Sequence, residues 1–299
     1  MSALPAPISA STVSPLPMQR SRGYWTSAML RFTRDPVAMG AALVVLLLIA
    51  LAVFGPWLAP ADPYQSSVLK RLKPIGTEGL PLGSDELGRD MLSRLIVGAR
   101  LSLFIGITPV ICAFILGAAI GILAGYAGGI VNTAIMRTID VFYAFPSVLL
   151  AIALSGVLGA GVVNSLISLT IVFIPQIARV AESVTTQVRG RDYVEAARAS
   201  GASAFTIVRV HVLGNVLGPI FVYATSLIAV SMILASGLSF LGLGVKPPEP
   251  EWGLMLNTLR TAIYVQPWVA ALPGVMIFIT SISFNLLSDG LRSAMDNKS

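Results

Sequence analysis

The chain has 299 residues; 55% are hydrophobic, only 11% are charged, and 20 basic against 14 acidic residues leave a net charge of +6. A soluble domain would carry about 25% charge, so these values, with a mean hydropathy of +0.82, exclude the ordinary soluble classes and predict an all-α polytopic membrane protein. The basic excess does not argue for nucleic acid, because membrane proteins gather Lys and Arg on their cytoplasmic side. The single Cys112 excludes a disulfide framework or a thiolate metal cluster.

Residues 1–23 are rich in Ala, Ser and Pro, with no basic residue before Arg20. That is not the pattern of a cleaved signal peptide, and the segment reads as a disordered cytoplasmic tail. Trp25, Met29, Leu30 and Phe32, interleaved with Arg31 and Arg34, predict a short amphipathic lead-in at the membrane interface. Five charge-free windows follow, at 37–61, 101–136, 141–178, 212–245 and 261–288. As one helix, the window 141–178 would run roughly 57 Å at about 1.5 Å per residue, too long for a bilayer core of about 30 Å. Gly156, Gly159, Gly161 and Asn164 offer a turn inside it, so it divides into two spans. The expected spans are 38–58, 101–123, 135–156, 163–183, 216–240 and 269–290, six in all, which places both termini on one side. With that side cytoplasmic, twelve basic residues lie inside and eight outside, six of the eight in one long first loop that translocates with weak regard for charge.

In that first loop, Met91, Leu92, Leu95 and Ile96 stand on one side of a helix, with Arg89, Asp90, Ser93 and Arg94 on the other. This predicts an interfacial amphipathic element leading into the second span. The small residues Gly117, Ala118, Ala119, Gly121, Ala124 and Gly125 of that span predict close helix packing. No ionisable residue is expected near the centre of a span, which argues against an ion-coupled transporter. Trp57, Tyr64 and Trp268 stand where interfacial aromatic anchors belong.

The most informative stretch is 192–214, DYVEAARASGASAFTIVRVHVLG, a charged helix-forming segment between two long apolar ones. Asp192 can cap a helix, Glu195 can reach back to it as in a capping box, and Gly201 can end the helix in the left-handed position. A helix over 193–200 is expected, then a second short one after Ser203 carrying Phe205, Ile207, Val208 and Val210. Helices this short are marginal in water, so they need a surface to pack on: their own spans or a partner protein. Ala196 and Ala197 leave a small surface that another protein can approach.

Glu195-Ala196-Ala197, three residues, then Gly201 resembles the EAA loop of permease subunits of binding-protein-dependent ABC importers, whose pattern runs EAA-x3-G-x9-I-x-L-P. His211 stands at the isoleucine position, Leu213 fits, and Gly214 replaces the proline, which still permits a bend. Residues 82–106, LGSDELGRDMLSRLIVGARLSLFIG, are similar to the signature of the C-type permeases of the dipeptide, oligopeptide and nickel branch. Met136-Arg137 through Asp140 to Phe145-Pro146, and LSFLGLG at 238–244, match further segments. The resemblance implies a type I importer permease fold with six spans, and a coupling helix that sits in a groove of the ATPase. It assigns ATPase contact to Glu195, Ala196, Ala197 and Gly201. Asp192, Tyr193 and Arg198 are candidates on physical grounds, and a local capping or packing role stands beside contact for each.

The lone His211 cannot make a metal site from His ligands. PPEPEWG at 247–253, outside the membrane, reads as an ordered turn or a partner contact. The chain has no GxxxxGK[ST], HExxH or GxSxG, so it is expected to be no enzyme and to bind no cofactor, with ATP used by a separate ATPase. The expected organisation is a tail over 1–23, a first span with long loop and amphipathic helix over 24–98, a transmembrane core over 99–290 holding the coupling loop 188–215, and a cytoplasmic tail over 291–299. The expected function is ATP-driven import of di- or oligopeptides across the bacterial cytoplasmic membrane. The partners would be a homologous permease, two ATPase subunits and an extracytoplasmic binding protein. Glutathione-like and nickel substrates stay open, and an ion-coupled secondary transporter is the alternative class.

Overall fold

The computed structural model describes residues 24–295. The expected tail 1–23 and the last four residues of the expected C-terminal tail lie outside the described residues. Eleven α-helices account for most of the described chain, and its extended segments make two isolated bridges, Thr77 with Leu80 and Ser84 with Asp90.

The lead-in is a nine-residue helix, α1 (Tyr24–Phe32). Asp35 then caps α2 (Pro36–Leu58): its Oδ1 accepts from the Val37 and Ala38 N–H groups at 2.9 and 3.2 Å, and Pro36 sits at the first helical position, where no N–H is needed. The long loop ends at α3 (Met91–Ala127). Its 37 residues run roughly 56 Å at about 1.5 Å per residue, so its first turns stand outside a bilayer core of about 30 Å. Next come α4 (Gly129–Tyr143), α5 (Ser147–Leu158) and α6 (Val162–Arg189). The short α7 (Asp192–Ala199) and α8 (Ala204–Ile207) precede a π-turn (Val208–Val212) that runs into α9 (Leu213–Phe240). The loop helix α10 (Trp252–Thr258) and α11 (Pro267–Met295) complete the chain.

Among the described residues, five helical segments are long and apolar enough to cross a membrane: α2, α3, α6, the continuous run Ala204–Phe240, and α11. The expected third span, 135–156, is not one helix. Its residues belong to α4 and α5, which are bent by 85° at Ala144–Pro146 and together would make a sixth crossing. Pro146 carries the reason, because the residue before a proline is pushed out of the helical region. The expected turn between the third and fourth spans is present at Gly159–Gly161, where the Gly161 N–H meets the Leu243 carbonyl at 3.4 Å.

The packing fixes which ends lie together. Gly117, Gly121 and Gly125 place α3 directly against α6: a Cβ on Gly121 would stand 2.6 Å from the Ala181 Cβ. Small residues spaced by four allow this approach, so the packing role expected for the glycine-rich second span holds. Arg189, at the end of α6, reaches the Gly125 carbonyl near the end of α3 at 3.5 Å. Gly290 near the end of α11 abuts Ala38 at the start of α2, and Gly218 of α9 abuts Met295. Both described termini therefore share one end of the bundle with α7 and α8. The loops 59–90 and 241–266 occupy the other end, as an even number of crossings requires. Trp57 and Trp268, 79% and 78% exposed, stand at that end, where amphipathic rings settle at a membrane boundary.

The polar side of the expected interfacial helix before the second span is not turned to water. Arg94 is 2% exposed, Arg89 4% and Asp90 5%. Asp85 accepts from the Leu87 and Arg89 N–H groups and from Arg89 Nε at 2.6 Å, and Arg94 Nε stands 3.3 Å from the same carboxylate. Asp90 caps α3 through the Ser93 N–H and hydroxyl. The first loop folds back over α3, and these charges pin it there. The PPEPEWG segment adds to the same body. Glu251 caps α10 through the Gly253 and Leu254 N–H groups at 2.8 Å each, and the fully buried Trp252 donates to the Leu95 carbonyl at 3.0 Å. Burial pushes the Glu251 carboxyl above the ordinary carboxylate range.

Candidate functional site

The helix pair α7–α8 is held from below by apolar side chains. Val194 of α7, Ile207 of α8 and Val212 of the π-turn are 0–1% exposed and belong to the core shared with α6 and α9. Half-buried Ala197 packs on the same core. Tyr193 lies beside His211, with ring centroids 6.3 Å apart.

Local chemistry sets the helix ends. Gly201 adopts φ +82°, which a glycine reaches without a Cβ penalty. Its N–H donates to the Arg198 carbonyl at 3.0 Å, and the Ala202 N–H donates to the Ala197 carbonyl at 3.1 Å. That is the Schellman pair of bonds, so the expected C-terminal role of Gly201 is present. Ser203 caps α8, accepting from the Thr206 N–H at 3.2 Å. The N-terminus differs from expectation. The cap residue is Arg191, with no side-chain cap bond, and α7 spans 192–199 rather than 193–200. Asp192 and Glu195 therefore lie inside the first turn, where they face the positive end of the helix dipole, and Arg198 stands in the last turn at its negative end. The capping box is replaced by this charge arrangement.

What remains outside is a continuous surface. Asp192, Tyr193, Glu195, Ala196, Arg198 and Gly201 lie on it, all of them exposed. Phe205 is 74% exposed and Val210 61%. The expected apolar side of the second helix thus splits: Ile207 goes into the core, while Phe205 faces out. Sequence reasoning placed the site on α7 and did not single out Phe205; its spacing from Ile207, two residues, could have shown that both cannot share one helix face. The replacement of the family proline by Gly214 brings no break, since the helix runs unbroken from Ala204 to Phe240 with the π-turn at Val208–Val212.

The profile of the family described as "Binding-protein-dependent transport system inner membrane component" matches residues 117–298, and that of the "N-terminal TM domain of oligopeptide transport permease C" matches 23–74. The chain belongs to the first of these families. A glutathione transport system permease protein, GsiD, of Pectobacterium atrosepticum is 42% identical over 274 residues, covering 92% of this chain and 91% of the relative. A di/tripeptide transport system permease protein, DppC, of Pseudomonas aeruginosa is 41% identical over 293 residues, covering 96% and 94%. Among solved structures, an inward-facing form of the MetNI methionine ABC transporter superposes with a TM-score of 0.55 at 20% identity, over 68% of this chain and 97% of that one. That likeness shows the fold alone, the architecture of an ABC importer permease; the family and the long apolar helices make the chain a multi-pass inner-membrane protein.

Proposed function

We propose that this chain is the permease subunit of an ATP-driven importer of short peptides, with both termini and the α7–α8 surface in the cytoplasm. The observation that carries the coupling role is Phe205: a large apolar ring, 74% exposed, on a helix pair otherwise anchored in the core. Such a ring beside Tyr193, Glu195, Ala196 and Arg198 suits a partner's pocket. The peptide substrate is supported by the relatives named for glutathione and di/tripeptide transport.

Val194, Ile207 and Val212 share one packed core with α6 and α9, and packed cores move as units. A displacement imposed on α7–α8 is therefore passed to those two spans. In this reading a separate ATPase dimer supplies the displacement and uses the ATP, a homologous permease completes the path, and a binding protein delivers the solute at the loop end. Glu195, Ala196 and Gly201 contact the ATPase, flanked by Asp192, Tyr193 and Arg198, with half-buried Ala197 between them and the core.

Copurification tests the reading. Expressed with its neighbouring subunits, the wild-type chain retains an ATPase subunit in detergent, while Glu195→Lys and Gly201→Asp chains lose it. Both residues are exposed, so the membrane core is expected to persist in both variants; Gly201→Asp also strains the left-handed cap of α7, so Glu195→Lys is the variant that reads contact alone. If no ATPase is retained, or the variants hold it equally well, α7–α8 is a connector and the coupling role is wrong.

A further inference from the structure

Arg179 lies inside the expected fourth span, 163–183, toward its α7 end. Arg179 stands 10 residues before the end of α6 at Arg189, roughly 15 Å along the axis. It pairs with Asp140 on α4, and Arg137, one turn earlier on α4, stands 4.0 Å from the same carboxylate. The Arg179 guanidinium also lies over the Tyr143 ring, 4.8 Å from its centroid. Tyr143 is the last residue of α4 before the 85° elbow, so the cluster sits at the helix break.

The Arg179 side chain is 48% exposed and that of Asp140 38%. Ionisable groups within a spanning helix turn to a water-filled cavity or to protein, not to lipid. The break argues the same way, because non-helical backbone inside a membrane is tolerated only against protein or an aqueous space. A cavity of about 280 Å³ opens at the elbow, lined by Tyr143, Phe145, Ser147, Pro175 and Gln176 among other residues of α4, α5 and α6; Arg179 and Asp140 do not line it, and Arg179 reaches its edge through the Tyr143 ring. It falls below the range of whole-ligand pockets, about 300–1,000 Å³, and so takes one end of a solute. Two guanidinium groups around one carboxylate leave a positive charge uncompensated. Glu182, one turn further along α6, is engaged by Asn132 Nδ2 at 2.6 Å and the Thr186 hydroxyl at 3.1 Å.

We propose that Arg179, held between Asp140 and Tyr143, is an anion-recognition point on the translocation path, exchanging Asp140 for the carboxylate of a passing peptide. The peptide identity rests on the function proposed above. A planar guanidinium fork matches either carboxylate, so the exchange trades one charge-assisted pair for another, while Arg137 stays beside Asp140. Tyr143 fixes the plane of the guanidinium during the exchange.

Cysteine labelling of the reconstituted complex tests this. In a Cys112→Ser background, Gln176→Cys is titrated with anionic and cationic methanethiosulfonate reagents. For one unit charge at about 4 Å in water, Arg179 is expected to speed the anionic reagent and slow the cationic one by about fivefold each, so the anionic-to-cationic preference carries a factor of about 25. Arg179→Gln removes this preference and Arg179→Lys keeps it. A tripeptide with a free C-terminus slows the labelling, and its C-terminal amide does not. A thiol at position 176 that water-borne reagents do not reach, a preference unmoved by Arg179→Gln, or equal protection by acid and amide would overturn the proposal. A complex that keeps the Arg179-dependent preference but imports no peptide refutes the importer reading and leaves the anion point standing.

Discussion

Truncating Phe205 to alanine separates docking from folding. The ring is 74% exposed, so little of it stabilises the chain alone. A buried aromatic contributes about 150–250 Å²; three quarters of about 200 Å² is about 150 Å² left for a partner to cover. At about 25 cal/mol per Å² that is about 3–4 kcal/mol, and the Cβ retained by alanine lowers the expected loss to about 2–3 kcal/mol. Each 1.4 kcal/mol is about tenfold in affinity, so Phe205→Ala weakens ATPase binding by roughly 30- to 150-fold. The contrasting variant is Ile207→Ala, two residues on and 1% exposed, where core truncation costs about 2–5 kcal/mol of stability. The assay is titration of purified ATPase subunits onto the permease in lipid nanodiscs, with thermal unfolding in parallel. Phe205→Ala should lose affinity at an unchanged melting midpoint, and Ile207→Ala should lower the midpoint. Phe205→Ala chains that bind the ATPase as tightly as wild type would refute the reasoning.

The remaining predictions concern the scaffold. Asp85→Asn leaves Arg89 and Arg94 buried without their shared carboxylate, and removal of one partner from a buried pair costs about 3–5 kcal/mol; a large drop in thermal midpoint is expected, and a midpoint near wild type would mean that the cluster does not pin the loop. Gly121→Val forces α3 away from Ala181 and costs about 1–3 kcal/mol by overpacking, read as reduced folded yield in detergent; an unchanged yield would contradict the close approach. Glu251 has its carboxyl raised by burial, so its favourable contribution is full while the acid is neutral, below the unfolded value, and declines as pH rises toward the folded one. Glu251→Gln should therefore flatten the fall of the melting midpoint as pH rises above the ordinary carboxylate range, and an identical pH profile in the two proteins would count against it.

Features that depend on composition and local chemistry were legible in the chain alone. Charge-free windows revealed the membrane class and the five long apolar helices, because apolar length decides what a bilayer accepts. Gly201 and Ser203 marked the end of α7 and the start of α8, since each satisfies backbone groups one turn away. Pro146 carried a legible signal for the elbow, although the expected span 135–156 runs straight through it. Features that depend on contact between distant segments came only from packing. Hydropathy treats Arg94 and Asp90 as surface residues, yet the loop from 59 to 90 folds over them and supplies Asp85. Phe205 and Ile207 are equally apolar in sequence, and only the packing of α8 on the core sends one inward and leaves the other out. Asp140 and Arg179 lie 39 positions apart, so no periodicity links them. They meet because α3 brings α4 and α6 together through Gly117, Gly121 and Gly125, which only the packed bundle reveals.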